Sequence, residues 1–77
     1  MIGRFAESTS GRDKGRVFLI IDAPEENFVM LSDGKLRKLE KPKRKKLKHI
    51  KLLAYTPIEI PETNKKLTEL IKNISQS

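Results

Sequence analysis

Apolar positions along this chain repeat with two different periods, and the change between them divides it. The densest apolar run is Val17-Phe18-Leu19-Ile20-Ile21. It is too short for an ordinary helix and rich in β-branched residues, so it predicts a strand buried on at least one face. Ile2 to Ser8 alternates imperfectly, with Ile2, Arg4, Ala6 and Ser8 on one face and Gly3, Phe5 and Glu7 on the other, and predicts an earlier strand. Ser8 to Gly15 is loop by composition. Pro24 and the acids around it mark a turn from Asp22 to Asn27, and Phe28 to Leu31 supplies a third strand. Asp33-Gly34 is a hairpin signal leading to a short basic fourth strand, Leu36 to Leu39. Pro42 interrupts that strand, and Leu47 to Leu53 gives a fifth.

The period then switches. Prolines 57 and 61 enclose an extended segment, and beyond it Leu67, Leu70, Ile71 and Ile74 stand at i, i+3, i+4 and i+7. That spacing places them on one face of a helix, which Thr63 or Asn64 is suited to cap. At about ten or eleven residues such a helix is marginal alone, so its stripe must dock on the sheet or on a partner. The expected organisation is a barrel over residues 1–53, an extended linker over 54–62 and an amphipathic helix over 63–75. The fold class is mainly β: a small, strongly bent sheet or barrel of about five short strands with a C-terminal α-helix. Phe5, Phe18 and Phe28 are expected to fill its interior, and closing the sheet hides its edges.

Charge changes this picture. The segment from Lys35 to Lys51 holds ten Lys or Arg and one Glu, a net of +9. The 77-residue chain carries +7, which leaves the remainder at −2. The cationic density is therefore local, the footprint of a site for a polyanion, nucleic acid foremost. Phosphates turn the mutual repulsion of such a cluster into counterion release. The candidate contacts are Lys35, Arg37, Lys38, Lys41, Lys43, Arg44, Lys45, Lys46 and Lys48, with Arg12, Lys14 and Arg16 of the loop before Val17 as a second cluster. Leu36, Leu39, Leu47 and Ile50 punctuate the basic run and are expected to anchor it to the core. The two clusters flank one expected hairpin and can share one rim of the barrel.

Other chemistries find little to build on. His49, the single histidine, lies among lysines rather than beside a paired acid or serine. The acids of the loops lack metal-ligand spacing, and Gly11-x-x-x-Gly15 lacks the Gly-Lys-Ser/Thr ending of a phosphate-binding P-loop. We expect no enzyme activity and no cofactor. Cysteine is absent, so disulfides and thiolate metal sites are excluded. No run approaches the roughly 20 apolar residues of a membrane span, and the N-terminal residues lack a secretory h-region. The basic run also lacks the apolar face of an interfacial helix, and Pro42 breaks it, so no membrane partner is expected. A cytoplasmic monomer is the expectation. Aromatics at strand spacing for stacking bases are missing, with Tyr55 the one candidate, so recognition should rest on phosphate and shape, as for folded RNA.

"GRDKGR" followed by an apolar strand resembles the KOW motif. Together with "DGKLRKLEKPKRKKLKH" and the phenylalanine-containing strands, in this order, it is similar to small bacterial KOW-domain RNA-binding proteins related to the fourteenth large-subunit protein of archaeal and eukaryotic ribosomes. The resemblance spans roughly Ile2 to Lys51. It implies an SH3-like barrel and binding of ribosomal RNA. By position Gly15 is the motif glycine, with a structural role, Arg12, Lys14 and Arg16 its basic loop, and Val17 to Ile21 its strand. KOW domains elsewhere bind proteins, so a protein-interaction module of the transcription or translation machinery is the alternative. A non-specific DNA-binding protein shares the electrostatics.

Overall fold

The computed structural model describes residues 1–75. Five antiparallel strands, β1 (Phe5–Ser8), β2 (Val17–Glu25), β3 (Phe28–Ser32), β4 (Lys43–Lys46) and β5 (Ile50–Leu52), form one sheet in the order β4-β3-β2-β1-β5. A 3₁₀ turn over Leu47–His49 carries the chain from β4 at one edge to β5 at the other. A helix, α1 (Asn64–Ser75), closes the chain. The protein is thus mainly β, a small barrel-like fold with a C-terminal helix. Among the described residues no helix is long and apolar enough to cross a membrane.

The unbroken apolar run in β2 has a physical reason: the strand is covered on both sides. Successive side chains of a strand point to opposite faces. Phe18 and Ile20 join Ala6, Val29 and Leu31 in the concave core, with Leu47, Ile50 and Leu52 packed against them. Leu19 points the other way, joining Phe5 and Leu67 of α1 in a second core flanked by Val17, Ile21, Leu70, Ile71 and Ile74. The helix therefore docks on the barrel. Phe5 belongs to this outer core, contrary to the expected interior filling, and Phe28 is only half-buried.

Several expected boundaries shift. Residues 1–4 turn, with the Arg4 N–H donating to the Met1 carbonyl, before β1 begins at Phe5. β2 runs past the expected turn at Asp22, through Pro24 to Glu25. Register shifts between Ile20 and Asp22, and between Asp22 and Glu25, bulge it there, and bulges tolerate proline. The reversal falls at Glu26 and Asn27.

The expected fourth strand, Leu36 to Leu39, is loop. The Asp33 carboxylate accepts the N–H groups of Lys35 and Arg37, so this backbone is used in a turn rather than a ladder. Leu36 consequently stays 63% exposed and anchors nothing, whereas Leu39 reaches the helix-side core. The strand lies instead within the lysine run, where Lys43 opposes Leu31 and Lys46 opposes Phe28. The stretch read as one strand from Leu47 divides into the 3₁₀ turn and β5.

The segment over 54–62 is a packed strap rather than a free spacer. The Ile58 N–H donates to the Gly3 carbonyl, Ile58 enters the outer core, and Pro61 is buried. Thr63 caps α1 by accepting the Lys66 N–H at 3.2 Å. Asn64, the other cap candidate, ties the helix to the β3–β4 loop: its carbonyl accepts the Leu39 N–H at 2.7 Å and its amide donates to Glu40.

Candidate nucleic-acid interface

A run of four basic residues offers no polarity contrast, yet as a strand it must send alternate side chains to opposite faces. In β4, Lys43 and Lys45 turn inward and Arg44 turns outward. The inward pair converges on Asp13, at the tip of the loop between β1 and β2. Lys43 Nζ reaches Asp13 Oδ2 and Lys45 Nζ reaches Asp13 Oδ1, each at 2.8 Å. The Ser8 hydroxyl donates to Asp13 Oδ1 at 2.7 Å, and Lys45 also donates to the Ser10 carbonyl. Burial pushes the Asp13 carboxyl up, but the hydrogen bonds from Lys43, Lys45 and Ser8 outweigh it. They hold the group well below the usual carboxylate range.

Two candidate phosphate contacts are thereby reassigned. Lys45 is only 8% exposed and carries an internal ion pair, so it is a structural residue. Lys43 is half-buried and committed to the same carboxylate. The sequence separation of Asp13 and Lys45 hid this arrangement, although an acid inside a basic loop was its one visible trace.

Arg44 is committed as well. Its Nε and terminal nitrogen donate to the two carboxylate oxygens of Glu25 at 3.1 and 2.8 Å, and its guanidinium lies 3.5 Å from the centroid of the Phe28 ring. This forked pairing holds Glu25 below its ordinary pKa. Arg16, exposed along much of its length, bridges to Asp33 at 3.3 Å.

The remaining candidates, Arg12, Lys14, Lys35, Arg37, Lys38, Lys41, Lys46 and Lys48, are exposed and make no salt bridge among the described residues. Arg12 and Arg37, far apart in sequence, are brought together. Asp13 pins the β1–β2 loop onto β4, and Asp33 holds Arg16 beside the β3–β4 loop. Arg12, Arg16, Leu36, Arg37 and Lys43 accordingly line one groove together with Asp13 and Phe18. The two basic clusters thus share a rim. Lys46 and Lys48 lie around the other end of β4, beside the turn at Asn27. His49 is half-buried in the 3₁₀ turn, where its carbonyl accepts the Thr9 N–H. Tyr55 packs edge-on against Phe5 with ring centroids 6.2 Å apart.

Gly15 lies at φ +88°, a region that disfavours residues with a Cβ, and an added Cβ would meet no atom within 4 Å. Its glycine is required by backbone conformation alone. Replacement by valine should cost roughly 1–3 kcal/mol in a urea titration while the fold persists. A melt unchanged from wild type with RNA binding lost would instead make Gly15 a contact residue.

No protein-family model matches the chain, and no curated protein is significantly similar to it.

Proposed function

We propose that this protein binds structured RNA, ribosomal RNA foremost, through Lys and Arg contacts to the phosphate backbone. The observation that carries this reading is the rim on which the β1–β2 loop and the basic β3–β4 segment meet. Its cations are held by a folded scaffold instead of a loose tail. Fixed cations on two sides of a groove match two phosphate strands, the arrangement a folded RNA offers and a flexible single strand does not. Arg12, Arg16 and Arg37 grip the backbone on this rim, and Lys14, Lys35, Lys38 and Lys41 of the same two loops, with Lys46 and Lys48, extend the footprint. The KOW-like order of loop, glycine and apolar strand supports the same reading, and a cytoplasmic ribosome-associated role follows from it. The protein-interaction alternative would draw support from an undocked helical stripe, and α1 is docked.

The test is filter binding to an RNA hairpin and to its unpaired counterpart over a salt series. With about five phosphates met, log K should fall with log salt at a slope of about −3.5 to −4.5. A nearly salt-independent affinity would overturn the electrostatic reading. Replacing Arg12 and Lys14 by alanine should weaken hairpin binding preferentially, with the slope reduced by about one unit or slightly less per lost contact. Equal binding of both RNAs by that variant and wild type would leave these two as solvated loop charges. DNA of the same sequence, bound equally well, would point to a general nucleic-acid binder.

A further inference from the structure

The basic rim accounts for phosphates but leaves a second concavity unused. Where the β2–β3 turn meets the 3₁₀ turn, Asn27, Phe28, Lys46, Leu47 and Lys48 line an open hollow of about 570 Å³. That volume lies within the range of small-ligand sites, about 300–1,000 Å³. Its composition is specific: one aromatic ring, one leucine, one exposed amide and two ammonium groups. The backbone fixes its walls, since the Leu47 N–H donates to the Asn27 carbonyl at 2.8 Å and so joins the two turns.

Phe28 is also held in place. Arg44, clamped by both oxygens of Glu25, covers one side of the ring at 3.5 Å, and Phe28 but not Arg44 lines the pocket. A ring backed by a guanidinium is pre-oriented, so a flat ligand stacking on it loses little side-chain freedom.

We propose that this pocket is a subsite for an unpaired nucleobase of the bound RNA, which stacks on Phe28 while the Asn27 amide meets the base edge and Lys46 and Lys48 hold the flanking phosphates. The proposal rests on the RNA-binding reading and adds a component that phosphate contacts cannot supply. The charge of the rim selects a polyanion, and the Phe28 ring selects the part of it that has a π-face. A bulged or looped-out base fits this description; a base inside a continuous duplex does not reach it.

The experiment compares a hairpin with a single-stranded loop against a blunt duplex lacking unpaired bases. Phe28→Leu keeps apolar volume and removes the ring. It should lose about ten-fold in affinity for the hairpin, in the range expected for one lost base stack. Duplex affinity and the salt slopes should stay as in wild type. In parallel, wild-type protein irradiated with a hairpin carrying 5-iodouridine in its loop should crosslink at Phe28, a readout independent of how well the variant folds. Equal hairpin affinity of wild type and variant, or a crosslink that maps to Tyr55 or is absent, overturns the subsite while leaving salt-dependent RNA binding intact. Failure of wild type to bind either RNA overturns both readings.

Discussion

Replacing Asp13 with alanine will destabilise the protein by about 3–5 kcal/mol, the usual consequence of stranding one partner of a buried ion pair. Two ammonium groups are stranded: Lys45 would keep only the Ser10 carbonyl as an acceptor, and half-buried Lys43 would lose its ion pair. A 77-residue domain has little stability to spare, so the loss should remove most of the folded population at physiological temperature. Urea titration of Asp13→Ala, of Lys45→Met and of the double variant provides the check. The double variant should recover part of the loss, because it removes the buried ammonium of Lys45 and leaves only half-buried Lys43 without its partner. An Asp13→Ala midpoint equal to wild type would show that the pair contributes nothing.

The same pair sets the acid limit. Because the folded-state pKa of Asp13 lies below its unfolded value of about 3.9, its contribution is complete above that pH. It fades as pH falls toward the folded-state value. Wild type should therefore lose this component only below about pH 4, whereas Asp13→Ala should lack that part of the acid slope. Stability measured from pH 2 to 7 would show the difference. Charge-neutralisation scans must avoid Lys45 for the same reason: its loss of RNA binding would report unfolding rather than a broken contact.

Substituting alanine for Gly34 is the second large effect. Gly34 has φ +77°, and an added Cβ would run into the Asn64 carbonyl oxygen and approach Thr68 Oγ1 to 2.8 Å. The backbone strain, about 1–3 kcal/mol, adds to an overpacking cost of similar size. Both neighbours belong to α1, and the Thr68 hydroxyl also reaches the Asp33 carbonyl. The relief available is for the N-terminal turn of the helix to lift. Hydrogen exchange should show α1 amides losing protection before those of β2, and the melt should fall further than that of Gly15→Ala, which carries the conformational cost alone. Equal melts for the two variants would contradict the close approach.

The two periods in the sequence were enough to place β2, β3 and α1, since each rests on apolar side chains with one destination. They failed where polar groups determine the structure. Leu36 to Leu39 has the look of a strand after Asp33-Gly34, but the Asp33 carboxylate takes the Lys35 and Arg37 amides and turns the chain away. β4 was invisible because lysines of opposite orientation look alike in a sequence. The candidate site was legible as a region and not residue by residue. Charge density located it, but whether a given cation faces solvent or Asp13 depends on a strand register that no local pattern encodes. Phe28 reads as core from its place in an apolar run, but it lies on the face of β3 that carries Arg44 rather than the one that carries Val29 and Leu31.

The placement of β1 between β2 and β5 has a consequence for synthesis of the chain. Ala6 pairs with Leu52, and Leu67 seals the outer face of Leu19. On the ribosome, β1, β2 and β3 can pair as soon as they emerge, yet the outer edge of β1 stays open until β5 follows, and β2 keeps one oily face bare until the helix arrives. Pairings that span most of a chain are entropically slow to close. The lysine-rich middle reaches the tunnel exit before α1 does, so during that interval the nascent chain presents its cations while the outer core is still open. A chain made this way exposes its cations to the RNA of its own ribosome before its outer core has closed.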